Sequence, residues 1–414
     1  MTRKSGPSRA PENSQWTLIR GARQLLTLRG ASGPRRASAM ADLNVIQDGA
    51  ILIRDGLIEE VGTTRRVENL IPSRLAKEID AAGKVVMPAF VDPDMALASP
   101  ASGGHPEPGS PSEPDISRMS RRRLEGQAAL VAADLARYGV LTIGAHTLSA
   151  PDLPNTRKAL RLYQTMQSRP LRIRAIFSAP PDADDSGSRR VNELWLPAIF
   201  RKRLASLLEI CVAPGRLDDS RAMAEAAAVI GYNIRFRVGV GVGAPVEGVA
   251  TTKLLELAHA AGAVAIIGSV PANTAVSAAL ADAGCVQIVL QAHMLAGDVA
   301  CRRSVIDAGI PVALASGYRH DITASMNPQF LLFSACGRLG MTVEEAIVAA
   351  TYNAACSLRL SHVTGSLSPG KSADICIVDV DDYREMARRA GHHDVCLVLR
   401  AGKIVYRRPN LTLE

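Results

Sequence analysis

The chain has 414 residues, of which 47% are hydrophobic, 21% are charged and only 4% are aromatic. This length exceeds one ordinary hydrophobic core, and it fits a barrel of about 250 residues with a second, smaller domain. The formal net charge is +8, but residues 1–36 hold eight basic residues and one acid and so carry +7 of it. No basic face with interleaved aromatic residues follows, which argues against a nucleic-acid partner.

The cysteines and the chain start indicate a cellular compartment. Seven cysteines lie at wide spacings with no CxxC pair, which is typical of reduced core residues in a cytoplasmic protein. The basic N-terminal segment lacks an apolar stretch, and no run of about 18 apolar residues occurs anywhere. We therefore predict a cytoplasmic protein without a membrane partner.

Both ends of the chain show short strands and tight turns. Residues 1–15 are rich in Pro, Ser and charge, and we predict a disordered basic tail. From residue 16 to about residue 84 short strands follow, and Asp55-Gly56 between two apolar runs predicts a type I′ hairpin. Ala401-Gly402 predicts a similar hairpin near the other terminus.

Between these ends, eight short apolar runs alternate with amphipathic or Ala-rich segments. The runs are Val85–Val91, Val140–His146, Leu171–Phe177, Leu207–Ala213, Ile234–Val240, Ala263–Ser269, Val286–Ala292 and Pro311–Gly317. The segments 122–138, 220–230 and 251–261 between them have helical periodicity. This eightfold strand–helix alternation predicts an α/β fold with a closed (β/α)8 TIM barrel. The Pro-, Gly- and Ser-rich stretch 99–115 predicts a long loop at the barrel mouth, which is the C-terminal end of its strands.

Three segments resemble a known family. They are Glu78–Pro93, Met341–Ala355 and Gly365–Asp379, and the last is highly specific. Together they resemble the amidohydrolase superfamily, and within it the imidazolonepropionase branch. The resemblance implies a barrel over residues 85–362 and a small composite β-sandwich domain formed by residues 16–84 and 363–414. It also implies hydrolysis of a cyclic amide with the help of bound zinc or iron.

The resemblance places the metal ligands at defined positions, and most of them are replaced. A His-x-His pair is expected after strand one, but this chain has Asp94 and Ala96 there. Arg237 stands in place of the His on strand five, and Gly317 in place of the Asp after strand eight. Because a guanidinium repels a metal ion, we predict that zinc and iron are not bound and that no cofactor is required.

Other polar residues remain near the predicted mouth and allow two further hypotheses. One is a relocated zinc or iron site, and the other is a metal-free pocket that binds an anion through Arg237, Arg319 and a histidine. The weak metal candidates are Asp94, His146, His320 and Asp321. The whole candidate pocket consists of Asp94, His146, Ser178, Arg237, His293, Tyr318, Arg319, His320 and Asp321.

These observations predict a degenerate, metal-free relative of imidazolonepropionase. Such a protein would bind a small-molecule ligand or act as a regulator, with a possible homo-oligomer interface retained from its relatives. The alternative is an active hydrolase of carbon–nitrogen bonds in cyclic amides with a non-standard metal site.

Overall fold

The computed structural model describes most of the chain. The described residues are 14–98, 116–148, 150, 152–167, 170–179, 185–212, 215–238, 251–268, 275–295, 303–319 and 325–409. Nearly all of the predicted disordered tail, the whole predicted loop 99–115, and the candidate residues His320 and Asp321 lie outside them.

The strands are numbered in chain order. Among the described residues they are β1 Trp16–Leu26, β2 Val45–Arg54, β3 Leu57–Thr63, β4 Lys77–Asp80, β5 Val85–Pro88, β6 Phe90–Met95, β7 Val140–His146, β8 Arg172–Ala179, β9 Leu207–Val212, β10 Asn233–Val238, β11 Ala265–Ile267, β12 Val286–Leu290, β13 Val312–Ala315, β14 Ile375–Val378, β15 Val395–Arg400 and β16 Lys403–Arg407.

The helices are numbered in the same way. They are α1 Thr64–Glu68, α2 Arg121–Arg137, α3 Leu153–Thr165, α4 Asp185–Arg190, α5 Leu196–Arg201, α6 Leu217–Ile230, α7 Thr251–Ala260, α8 Ala275–Asp282, α9 Gln291–Leu295, α10 Arg303–Asp307, α11 Pro328–Leu339, α12 Val343–Ala349 and α13 Tyr352–Ser357. Short 3-10 helices cover Ala37–Ala41, Ile71–Leu75, Ile116–Arg118 and Tyr383–Ala387, and a π-helical turn covers Val191–Trp195. None of the helices in the described part of the chain is long and apolar enough to cross a membrane.

Both chain ends contribute to one sheet, whose strand order is β16-β15-β14-β5-β1-β2-β3 with β4 beside β1. The predicted hairpin turns have the backbone that type I′ requires: φ is 50° at Asp55 and 86° at Gly56, and 45° at Ala401 and 72° at Gly402. The two turns pack against each other. A Cβ added at Gly56 would lie 2.8 Å from the carbonyl oxygen of Ala401, so glycine is required there for space as well as for conformation.

The second sheet contains eight parallel strands among the described residues, in the chain order β6 to β13. Its two edges meet where the Ala96 amide donates to the Tyr318 carbonyl at 2.7 Å, so the sheet curls into a nearly closed barrel. Apolar side chains such as Ile176, Leu207 and Ile288 fill the interior, and a larger apolar layer packs the outside of the strands against the helices. The predicted fold class, a TIM barrel with a composite second domain, is confirmed.

The prediction of a single barrel strand over Val85–Val91 is wrong. Residues 85–88 pair with β1 and β14 in the composite sheet, and the barrel begins at Phe90. The chain changes sheets at Ala89, whose amide donates to Asp374, whereas the next amide, of Phe90, donates to Gly139. The seven other predicted runs each overlap an observed barrel strand. The division into residues 16–84, 85–362 and 363–414 otherwise stays a prediction.

Candidate functional site at the barrel mouth

The register of three neighbouring barrel strands brings polar side chains into one layer. Ser178 on β8 is paired with Glu209 on β9, and Glu209 is paired with Arg235 on β10. Successive side chains along a strand alternate between its two faces, so Arg237 lies on the same face as Arg235. These side chains lie inside a barrel that is otherwise filled by aliphatic groups, so their charges need partners close by.

The partners are supplied by two buried carboxylates. Asp94, at the end of β6, places its Oδ1 2.7 Å from Arg235 Nη2 and 2.5 Å from Arg237 Nη2. Glu209 places Oε2 2.6 Å from Arg235 Nη2 and Oε1 3.0 Å from Arg237 Nε. The four side chains are between 0% and 7% exposed. We call Asp94, Glu209, Arg235 and Arg237 the mouth ion network.

Further hydrogen bonds fix the mouth ion network in place. Arg235 Nη1 donates to the Pro93 carbonyl at 2.9 Å, and the Ser178 hydroxyl donates to Glu209 Oε1 at 3.0 Å. Burial raises the pKa of Glu209, but Arg235 and Arg237 outweigh burial and hold that pKa well below its usual range. Burial lowers the pKa of Arg237, but the two carboxylates outweigh it and raise that pKa above its usual range. Glu209 and Arg237 are therefore both ionised, and the formal charges of the two acids and two arginines in the network sum to zero.

His146 ends β7 beside this network and is buried. Burial lowers the pKa of His146 to about 4; Asp94 raises it and Arg237 lowers it further. The imidazole is therefore neutral at physiological pH. Its Nδ1 lies 3.5 Å from the Leu148 amide, which donates to it, and its backbone carbonyl accepts from the Tyr163 hydroxyl at 2.7 Å.

A third buried carboxyl, Asp92, lies at the seam where β6 meets β13. It accepts hydrogen bonds from the Ser316 hydroxyl, from the Ser316 amide at 3.3 Å and from the Asp94 amide at 3.2 Å. Burial raises the pKa of Asp92 to about 7, although these hydrogen bonds lower it in part. This carboxyl therefore changes charge close to neutral pH.

Some candidate residues predicted from sequence come together, and others do not. Asp94 and Arg237 belong to the mouth ion network, and Ser178 donates a hydrogen bond to its member Glu209. Arg237 forms ion pairs with Asp94 and Glu209, and the anion contact predicted for it stays a prediction. Tyr318 lies at the barrel seam, while His293 in α9 and Arg319 after β13 are half-buried.

Three site residues were missed from sequence: Glu209, Arg235 and Asp92. A signal for Glu209 was present, since a glutamate stands inside the apolar run Leu207–Ala213 of a barrel strand. Arg235 and Asp92 each lie two positions before a residue that was selected, Arg237 and Asp94 respectively. A charged residue inside a buried strand requires a partner, and that requirement marks all three.

Comparison with known proteins places the chain in a family. It is 30% identical to the imidazolonepropionase of Solibacter usitatus, over 95% of this chain and 99% of that protein. This chain belongs to the amidohydrolase family. The imidazolonepropionase of Geobacillus kaustophilus is 29% identical over 94% of this chain and 97% of that protein, and the family profile described as amidohydrolase family matches residues 255–405.

Solved structures agree on the fold of this member of the amidohydrolase family. A triazine hydrolase variant has a TM-score of 0.72 at 17% identity, covering 96% of both chains. Aspergillus niger ochratoxinase has a TM-score of 0.67 at 15% identity, covering 97% of this chain and 98% of that one. At such identities these likenesses concern the architecture alone.

Three positions that the resemblance assigns to metal ligands offer no free ligand for a divalent ion among the described residues. The Asp94 carboxylate already accepts from two guanidinium groups, Ala96 is a buried methyl group, and Gly317 has no side chain. Within the described ranges no cluster of three or more His, Cys, Asp or Glu side chains is arranged to hold a metal. His320 and Asp321 fall outside those ranges.

Proposed function

We propose that this amidohydrolase-fold protein is a degenerate relative of imidazolonepropionase that binds or senses a small molecule and does not carry out metal-dependent hydrolysis. One observation carries the proposal: Asp94, which occupies a family metal-ligand position, is held by Arg235 and Arg237. The two guanidinium groups fill the space and supply the charge that a metal would otherwise provide.

The electrostatic magnitudes favour this proposal. A divalent ion about 4 Å from one guanidinium would be repelled by roughly 8 kcal/mol at an effective dielectric constant of about 20. Two arginines double that repulsion, and the carboxylates of Asp94 and Glu209 at similar distances only offset it. The site therefore lacks the net attraction of roughly 10–16 kcal/mol by which a complete structural site holds zinc. Binding would also break the pairs of Asp94 and leave buried guanidinium groups with less negative charge nearby.

The ligand in this proposal is a small molecule admitted at the C-terminal end of the barrel strands. The groups near that end include the neutral imidazole of His146, the phenol of Tyr318 and the guanidinium of Arg319. A homo-oligomer interface inherited from enzymatic relatives would link ligand binding to a regulatory response.

The test measures metal content and hydrolysis on the same preparation. The full, untagged chain is produced with added zinc and iron and analysed by inductively coupled plasma mass spectrometry. It is then assayed for hydrolysis of imidazolonepropionate, with the Geobacillus kaustophilus imidazolonepropionase purified in parallel as the positive control. We expect less than about a tenth of an equivalent of metal per chain and no turnover above background.

The competing function is an active hydrolase of cyclic amides with a non-standard metal site. The imidazolonepropionase relatives, similar over almost the whole chain, favour it. Close to one metal equivalent together with turnover would overturn our proposal. The variants Asp94→Asn, His146→Asn and Asp321→Asn would then identify which side chains hold the metal.

A further inference from the structure

A cavity lies at the end of the barrel opposite the mouth, where the strands begin. Its volume is about 1040 Å³, at the upper end of the range for small-molecule pockets. The loop 30–36 forms one wall, and the start of β10 and the segments 261–264 and 281–284 form the others. We call it the lower cavity. Its walls include none of the residues of the mouth ion network.

A buried cation lines the lower cavity without a close counter-ion. The side chain of Arg35 is only 4% exposed. Its Nη2 donates to the Arg29 carbonyl at 2.9 Å, but its Nη1 has no hydrogen-bond partner among the described residues. The nearest carboxylate oxygen, Asp42 Oδ2, is 3.9 Å from Nη1 and belongs to a side chain that is 59% exposed.

Arg35 and a second cation, Lys371, both lie against the ring of Tyr352. The Lys371 ammonium is 5.3 Å from the centre of the Tyr352 ring, and the Arg35 guanidinium is 5.7 Å from it. Lys371 donates to the Ser366 hydroxyl and forms no ion pair with any described residue. Burial lowers the pKa of both Arg35 and Lys371, and for Arg35 burial outweighs the Asp42 carboxylate, which raises that pKa.

The rim of the lower cavity adds positive charge. Arg36 and Arg359 are exposed lining residues. Asp282 is the only acid in the described lining, and it is paired with Arg36 at 2.5 Å. The lining therefore holds three arginines and one carboxylate, and its excess charge is positive.

We propose that the lower cavity binds a small molecule through a phosphate or carboxylate group held by Arg35, with Arg359 contacting the same ligand from the rim. A buried donor without a partner is costly, and an oxyanion would satisfy Arg35 Nη1 with a charge-assisted hydrogen bond. The volume and polar walls accommodate a polar molecule larger than the anion itself. This site is separate from the barrel mouth, so the inference does not depend on the proposed function.

The test uses inorganic phosphate as the probe and isothermal titration calorimetry as the measurement. The full chain is titrated in buffer with chloride at matched ionic strength, so that a general salt effect is removed. Arg359→Gln removes a rim charge from an exposed side chain, and Arg35→Gln removes the buried one. Arg65→Gln, an exposed change in the composite domain, is the matched control.

We expect saturable phosphate binding that weakens about tenfold or more in Arg359→Gln and Arg35→Gln and stays unchanged in Arg65→Gln. Because Arg359 is exposed, its variant remains informative even if Arg35→Gln fails to fold. Absence of saturable binding would overturn the inference. Binding that survives Arg359→Gln but is lost in Arg319→Gln would assign the anion to the mouth and overturn it equally.

Discussion

The two ends of the barrel treat buried cations in opposite ways. At the mouth, two arginines meet two carboxylates at 2.5–3.0 Å, and none of the four side chains is more than 7% exposed. At the lower cavity, Arg35 has one carboxylate oxygen at 3.9 Å, and Lys371, which contacts the same Tyr352 ring from outside the cavity lining, has no ion-pair partner in the described part of the chain. Each mouth arginine forms ion pairs with carboxylates of the chain itself, whereas Arg35 has a terminal donor, Nη1, without a hydrogen-bond partner among the described residues.

We infer from this contrast that the mouth ion network contributes mainly to stability and the lower cavity mainly to ligand recognition. A closed ion network fixes the geometry of the mouth, and removing one member leaves a buried charge without compensation. Arg35 is buried without close charge pairing, which already lowers the stability of the ligand-free protein. Replacing Arg35 should therefore reduce the free energy of unfolding only slightly without ligand and more when a ligand is bound. The following variants test the contrast, beginning with the largest expected effect.

Glu209→Gln removes one of the two carboxylates of the mouth ion network. The side chain keeps its size but loses its charge, so Arg235 and Arg237 must share Asp94 alone. We expect the free energy of unfolding, measured by urea titration, to fall by about 3–5 kcal/mol. Adding Arg237→Gln to this variant should recover part of the loss, because the charges balance again.

The control for that variant is a carboxylate on the surface. Glu78 pairs with Arg20 at 2.9 Å, but its side chain is more than half exposed. Glu78→Gln should cost no more than about 1 kcal/mol. If Glu209→Gln proved no more damaging than Glu78→Gln, the mouth ion network would not be the tightly coupled unit described above.

Asp92→Asn tests the pH dependence at the mouth. The pKa of Asp92 is raised from 3.8 to about 7 in the folded chain, so folding disfavours its ionised form. Its contribution to stability is full below about pH 4 and is lost as the pH rises through about 7. Asparagine does not ionise, so the variant should gain up to about 4 kcal/mol over the parent chain near pH 8 and nothing near pH 4.

The measurement for Asp92→Asn is the difference in unfolding free energy between variant and parent across that pH range. Taking the difference cancels the titration of all other groups that the two proteins share. A difference that stays constant with pH would show that Asp92 ionises normally in the folded protein.

Arg35→Gln should give the smallest change in stability. The variant loses one hydrogen bond to the Arg29 carbonyl and the contact with the Tyr352 ring, but it leaves no buried carboxylate unpaired. We expect a loss below about 2 kcal/mol without ligand, measured by the same urea titration. A loss equal to that of Glu209→Gln would mean that Arg35 is as tightly paired as the mouth arginines, and the contrast between the two ends would fail.

Local sequence signals predicted much of the fold. The Asp55-Gly56 and Ala401-Gly402 turns were identified because their dipeptides favour positive φ, and the structure has that backbone. The seven correct barrel runs were identified because parallel strands buried on both faces are continuously apolar. The run at Val85 was misassigned because an apolar run carries no information about which of two sheets it joins.

The candidate site was predicted only in part. Asp94 and Arg237 were selected as replacements of ligands, one residue at a time, and each was considered for a partner from outside the chain. Their actual partners are each other, together with Glu209 and Arg235. Nothing in the local pattern indicates these pairs, since Asp94 and Arg235 lie far apart along the chain.

The sequence by itself determined the architecture, because the fold class depends on residue identity and short-range periodicity. The loss of metal ligands at the mouth stays a prediction. The tertiary structure decided how the remaining charges combine. Strand register sets Glu209 beside Arg235, and barrel closure brings Asp94 within reach of both arginines. Likewise, only folding places Arg35 and Lys371 against Tyr352. Electrostatic pairing depends on distances of a few ångströms between distant segments, and only the folded chain fixes those distances.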